Sequence, residues 1–323
     1  MKTLRPILDK SSYAAPIKKA IYQYFYELIF APIFSILKEE PRHNAVAGML
    51  LSYLREGKLT YEGNQFKGKL NATISRQLRQ LGASYNKTTK SFKIEISKIP
   101  DEIKLAIIEG NQRNNEQIRR IEDFLKAVEG REIAPLKLEK FFDYPINDLQ
   151  KQFDRTVSAT IAIPLREDLK DKLREAYGEN LNLYIKKWHD EEIYKLRKIV
   201  NQNVSQGYRA SNLIDIIQHE KGVSYRKAEF LARNETSLLT AKYRQIRYEE
   251  AGIEYYKWST SHDDRVRKLH RHLDGQIFRF DNPPVIDIHS MARGNPGEYY
   301  NCRCVPIAIL KYVKLLSGKY QEV

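Results

Sequence analysis

Apolar residues recur at helical spacing along most of this chain, and in a few short stretches they alternate with polar ones. The pattern begins with two predicted helices over about residues 10–57. The first carries Tyr22, Phe25, Tyr26, Ile29 and Phe30 at helical spacing. A helix this apolar reads either as a core helix or as an element that docks on a larger partner. The apolar run Ile21–Leu37 contains Gln23, Glu27 and Pro32, and it is shorter than the roughly 20 residues that a bilayer span requires. No membrane segment is therefore expected. Asp9 and Lys10 stand where a secretory signal needs its apolar core, so no signal is expected either.

A small α/β unit follows. Leu59–Tyr61 and Gln65–Phe66 flank a Glu-Gly-Asn turn and predict a hairpin. Leu70, Ile74, Leu78 and Leu81 share one face of a helix over 70–81, and Gly82 suits its C-cap. Phe92, Ile94 and Ile96 alternate with Lys93 and Glu95, as in a half-buried strand that Pro100 ends. Lys67, Lys69, Arg76, Arg79, Lys87, Lys90 and Lys93 make the unit basic, which reads first as a solvated face.

Residues 111–130 and 148–206 are predicted helical and densely charged. A short helix from Ser211 to Glu220 comes next, and Gly222 separates it from a longer one, Ser224–Glu250, which Gly252 ends. The apolar stripe of that helix is Ala228, Leu231, Ala232, Leu238, Leu239 and Ile246, with Glu235 in its middle. A buried carboxylate is costly unless paired, so Glu235 is expected to meet an Arg, a His or a metal-ligand ring nitrogen. Beyond Gly252 the period changes to two: IEYYKWST, QIFRF and CVPIAIL read as strands, and Trp258 as core filler. The expected fold is α+β and mainly helical, with N-terminal helices, the small α/β unit, and a helical region packed on a small C-terminal sheet. The expected divisions are 1–57, a helical docking segment; 58–147, the α/β unit with a helical linker; and 148–323.

Composition narrows the function. The 323 residues are 42% hydrophobic with 15 Gly and 12 Pro, which excludes a disordered or collagen-like chain. Lys and Arg number 55 against 41 Asp and Glu, a formal charge of +14. Such an excess favours a polyanionic partner, because each neutralised phosphate releases counterions. The 2 cysteines, Cys302 and Cys304, exclude a disulfide scaffold and suit a reducing compartment.

The distinctive chemistry lies in DDRVRKLHRHLDG, Asp263–Gly275, and YNCRC, Tyr300–Cys304. Histidine and thiolate together suit Zn²⁺, which takes four N/S ligands in a tetrahedron. His270, Cys302 and Cys304 can supply three, with His272, His289 or a water as the fourth. The alternative is that the thiols act as small buried hydrophobes while His270 donates to a carbonyl. Arg265 and Arg267 are candidates to clamp Glu235 or Asp264. Phosphate-binding, dinucleotide-binding, HExxH and GxSxG motifs are all missing, so an enzyme is not expected. His270 with Asp274 or Glu235 is a candidate acid–base pair and Cys302 a candidate nucleophile activated by His270; the runner-up readings are a metal-dependent nuclease and a simple nucleic-acid-binding module.

In order, ARNET (Ala232–Thr236), Lys257-Trp258, DxRVRxxHxxLDG and NCRC (Asn301–Cys304) resemble the phage Mu protein F-like domain of minor head proteins in tailed phages. The resemblance spans roughly 150–310 and makes 148–323 the Mu F-like domain. It implies a non-enzymatic minor capsid protein that acts in head morphogenesis and in DNA packaging or ejection. Its implied partners are the portal protein and packaged double-stranded DNA, with scaffold or major capsid protein as further candidates. It would sit in the virion interior near the portal, after assembly in the host cytoplasm. The apolar N-terminal helix would be the portal-docking element. Arg265, His270, Asp274, Gly275, Cys302, Arg303 and Cys304 fall on the family signature; Glu235, Asp264 and Arg267 accompany them. Some relatives carry a toxin domain after NCRC, and the roughly twenty residues that follow it here leave no room for one.

Overall fold

In the computed structural model the N-terminal apolar pattern forms one unbroken helical stretch. Helix α1 (Ser11–Phe25) passes through a π-helical turn, Tyr26–Phe30, into α2 (Ala31–Lys38). Pro32, a residue that ordinarily breaks helices, lies inside this stretch without ending it. The amide of Ala31 reaches back to the Tyr26 carbonyl, and this widened turn accommodates the proline ring just beyond it. By length and composition alone, Ser11–Lys38 is long enough and apolar enough to cross a membrane. Ile17, Ile21, Phe25, Ile29, Phe30 and Ile33 are nevertheless fully buried in the fold. That burial is the core-helix reading of this segment. The structure describes residues 3–38, 59–62, 65–68, 76, 79–80, 82–88, 91–99, 101–157, 164–206, 210–314 and 320–321.

The chain forms two compact units, each gathered from separated segments. One comprises Met1–Gln23, Ala134–Lys186 and Ser224–Val323; the other comprises Tyr24–Ile133 and Lys187–Val223. Neither follows the contiguous division at 57 and 147.

The second unit holds the small sheet. The predicted hairpin is β1 (Leu59–Glu62) with β2 (Gln65–Gly68), antiparallel, Tyr61 opposite Phe66. With β3 (Ser84–Asn86) and β4 (Ser91–Glu95) it makes a sheet of order β1-β2-β4-β3. Phe92 and Ile94 are buried between exposed neighbours, as their alternation requires. Of the helix expected over 70–81, only residues 76, 79 and 80 are described, and they are helical; the rest lies outside the described residues. Gly82 follows, its amide donating to the Arg79 carbonyl at 3.0 Å, as a C-cap does. Helix α3 (Asp101–Val128) belongs to this unit, and its Gln117 donates to the Ile36 carbonyl at 3.1 Å. Phe25 stacks on Trp188 at 3.8 Å.

The first unit positions the site. Its helices are α4 (Asp143–Val157) and parts of two 39-residue helices, α5 (Glu167–Ser205) and α6 (Asn212–Glu250). The last runs straight through Gly222, so the two helices expected there are one. A mid-helix glycine costs about 1 kcal/mol relative to alanine. Packing overrides that cost, because Leu213 and Ile217 before it and Ala228 and Ala232 after it are all fully buried. The C-terminal sheet comprises β5 (Ile253–Ser259), β6 (Ile277–Arg279), β9 (Val305–Lys314) and β10 (Tyr320–Gln321), in the order β10-β9-β5-β6. Between them lie α7 (Lys268–Leu273) and the short pair β7 (Val285–Asp287) and β8 (Ala292–Arg293). The N-terminal residues join this sheet: Thr3 bridges to Ile309, and the Leu4 amide donates to the Ala308 carbonyl at 3.0 Å. Tyr13 donates to Asp148 at 2.5 Å, and Lys10 pairs with the same carboxylate at 2.6 Å. The expected mainly helical α+β fold with a small C-terminal sheet is what the chain adopts.

A buried histidine and two thiols beneath an arginine-rich loop

Three features of the first unit bring His270, Cys302 and Cys304 together. The first is the exit from β5. Gly275 takes φ 77°, a left-handed backbone that suits glycine, and its amide donates to the Trp258 carbonyl at 2.8 Å. Asp274 beside it accepts the Thr260 amide at 2.7 Å. These bonds fold the LDG end of the motif back onto the strand and set the six-residue α7 over Trp258. The indole of Trp258, 1% exposed, meets the His270 ring edge-on at 5.5 Å.

The second feature is the face of α6. Asn234 accepts the Asn301 amide at 2.9 Å, and Ser237 donates to the Cys302 carbonyl at 3.2 Å. Asn301, at φ 50°, turns the chain so that both cysteines point inward. Close approach here also depends on Gly297, at φ 93°. A β-carbon there would lie 3.0 Å from the Ala241 methyl and 3.4 Å from the Arg244 guanidinium.

The third feature is a set of arginine latches on the outside. Arg303 pairs with Asp263 through two hydrogen bonds, one of 2.7 Å. Arg267 donates to the Tyr300 carbonyl at 2.9 Å and lies over the rings of Tyr299 and Tyr300, at 4.8 and 4.9 Å. Arg265 reaches Asp263 only at 3.9 Å. The expected clamp of Arg265 and Arg267 on Glu235 or Asp264 is therefore replaced. The segment turns instead of extending, and the bonds it makes go to Asp263 and to the NCRC loop. Asp264 is exposed and lines a small surface cavity with Asp263, Arg271 and Asp274.

Within the trio, the His270 Nδ1 lies 3.4 Å from the Cys302 sulfur and 3.6 Å from that of Cys304. The other ring nitrogen, Nε2, lies 3.1 Å from the Ile286 carbonyl, which makes it the N–H donor there and leaves Nδ1 facing the sulfurs. All three residues are buried, and their ligand atoms lie within 4.8 Å of one another. The Cys304 thiol, hydrogen-bonded to its neighbour, holds Cys302 well below the usual thiol range against the opposing effect of burial, and His270 adds to the lowering. Cys304 moves up in return, as the partner that keeps its proton. Burial pulls His270 down, but the Cys302 hydrogen bond and charge outweigh it, and the imidazole moves up. The donor set fits Zn²⁺. With Zn–S near 2.3 Å and Zn–N near 2.05 Å, a tetrahedron has S···N edges of about 3.6 Å, matching the two S···N separations here. His272 and His289 are exposed and lie outside the trio, so neither is placed as the fourth ligand.

Glu235 is fully buried, and among the described residues its hydrogen-bond partners are amides. Its Oε1 accepts from the Asn234 amide at 3.1 Å, and Asn180 is a second hydrogen-bond partner. Burial pushes the carboxyl up to about 7, outweighing both amides. The expected Arg, His or metal-ligand partner is thus replaced by amides, which a protonated carboxyl can satisfy without a counter-charge. Two residues passed over in the sequence carry charge into this core. Arg244 is 2% exposed, and Arg247, fully buried, packs over the Phe153 ring at 4.6 Å. Their spacing on the apolar stripe of α6 is the one signal that marks them.

These features define a mainly helical α+β protein with a buried His–Cys–Cys centre, built where a long helix meets a small sheet. The sequence profile of the phage Mu protein F like family matches residues 194–307, so the chain carries a phage Mu F-like region that encloses this centre. The chain is 36% identical over 143 residues to an uncharacterized protein of Haemophilus influenzae, a stretch covering 44% of this chain and 30% of that protein. It is 28% identical over 141 residues to the NAD(+)--arginine ADP-ribosyltransferase EFV of Enterococcus faecalis, covering 41% of this chain and 29% of that protein. The chain thus spans less than a third of the length of these relatives. No solved structure matches.

Proposed function

We propose that this protein is a minor head protein of a tailed phage, held at the portal in the virion interior, and that it acts in head morphogenesis and in DNA packaging or ejection. Assembly would take place in the host cytoplasm, with scaffold or major capsid protein as further neighbours. The observation that carries the reading is the family match over 194–307, which contains every residue of the buried centre. The net charge of +14 agrees with a place beside a packaged polyanion. Cross-linking mass spectrometry on purified particles of the source phage tests it. Lysine links between this chain and portal peptides are the expected result. Absence from particles, with the protein abundant in infected cells, would overturn the reading.

We also propose that the centre holds zinc through His270 Nδ1 and the two cysteine sulfurs, with water in the fourth position. When bound, the metal supplies a cross-link among α7, the NCRC loop and the carbonyl of β7 through His270. We read its role as structural, since all three ligands are buried. A nuclease reading predicts metal-dependent nicking of plasmid DNA that disappears in His270→Ala; the expectation here is intact plasmid.

A further inference from the structure

A cavity of about 700 Å³ opens beside the NCRC loop, entirely within the first unit. Its wall carries six cationic side chains, Lys10, Arg233, Arg244, Arg265, Arg267 and Arg303, and one carboxyl, Asp9. Several of the cations are engaged at the rim: Lys10 with Asp148 at 2.6 Å, Arg303 with Asp263, Arg267 with the Tyr300 carbonyl, and Arg233 with Glu229 at 3.6 Å.

Arg244 differs from these. It is 2% exposed, its Nε donates to the Thr240 carbonyl at 3.1 Å, and its Nη1 is buried with no hydrogen-bond partner. A guanidinium donates from all its nitrogens, and a buried donor left unmade costs on the order of 1–3 kcal/mol, more when it is charged. The carboxyl nearest in charge, Asp9, does not repair this. Burial pushes it up to about 6 against the pull of Arg244 and Arg233. The cavity therefore concentrates positive potential around an unsatisfied, preorganised donor, with Arg265 at the mouth, 76% exposed and only loosely paired.

We infer that this cavity is an oxyanion site that takes a phosphate group, with Arg244 as its buried anchor and Arg265 as its entrance. The volume suits a ligand of nucleotide size. A double helix is too wide to enter, so the phosphate belongs either to a small free ligand or to the end of a strand. The inference stands on the cavity and does not depend on the head-protein reading.

Isothermal titration calorimetry of the full chain with inorganic phosphate, at constant ionic strength, tests it. Saturable binding at one site is expected, weakened tenfold or more by Arg265→Glu, a rim change that leaves the core alone. Arg244→Lys, which keeps the charge but loses the fork, should weaken it by a similar factor, and Asp9→Asn should strengthen it. Absence of saturable binding up to about 10 mM phosphate, or binding indifferent to both arginine variants, would overturn the proposal. A single-stranded oligonucleotide with a 5′-phosphate, compared with the same strand ending in a hydroxyl, separates the two sources. Tenfold tighter binding of the phosphorylated strand assigns the site to strand ends; equal binding alongside a positive phosphate titration assigns it to a free ligand.

Discussion

Burial raises the Glu235 carboxyl to about 7 from an ordinary value of 4.5, so between those limits the folded protein holds a proton that the unfolded chain has released. The sign follows: this residue's contribution is greatest below about pH 4.5 and is lost as pH rises through 7, a swing of about 3 kcal/mol at most. Glu235→Gln keeps an acceptor for the Asn234 amide and removes the titration. The variant should therefore match the wild type near pH 5 and melt at higher temperature near pH 8, as thermal scans across that range will read; parallel curves would mean that the carboxyl is ionised through another partner. The position of Glu235 on a buried stripe was legible from helical spacing, but its partners were not. Spacing reports which face a residue occupies, whereas Asn180 comes from a different helix. The same limit hid Arg244 and Arg247. A charged residue on an apolar stripe looks like an interruption until the cavity or the aromatic ring beside it is placed.

At the level of elements, alternation and turn chemistry were the most readable signals. The β1–β2 hairpin, the buried Phe92 and Ile94, and β5, β6 and β9 all lie where period-two patterning put them. Breakers misled. Gly222 marked an expected end and Pro32 is a breaker by type, yet each lies inside continuous helix because packed residues on both sides outweigh a local penalty. At Pro32 the π turn supplies the room. Gly222 is helical and only half-buried, so the helix carries glycine's conformational cost there. Gly222→Ala should then stabilise the protein by about 0.5–1 kcal/mol, measured as a higher midpoint in urea with an unchanged slope. If the chain instead bent into two helices at Gly222, alanine would be neutral or destabilising.

At the scale of the molecule, neither compact unit could be read from the sequence, because each is assembled from segments separated by more than a hundred residues or by long helices shared with the other. What the sequence did carry was the chemistry to be gathered: His270 and the Cys-x-Cys pair lie 32 and 34 positions apart, yet their ligand atoms meet within 4.8 Å. That convergence depends on the Gly275 turn, the α6 face and the latches of Arg267 and Arg303. A metal at the centre should therefore stabilise the fold that assembles it, by about 2.7 kcal/mol at a free zinc level one hundred times its dissociation constant. In a unit of this size that corresponds to roughly 5–10 °C in melting temperature. Purified protein treated with a strong chelator should lose this increment and regain it when zinc is restored. Cys304→Ser should melt at the lower temperature from the start and should not respond to chelator, since one of only three protein ligands is gone. The opposed result is equally readable: if Cys304→Ser and the wild type melt together, with and without chelator, the trio holds the loop through its hydrogen bonds alone. The Cys302 thiolate and the protonated His270 ring would then be a buried ion pair in their own right.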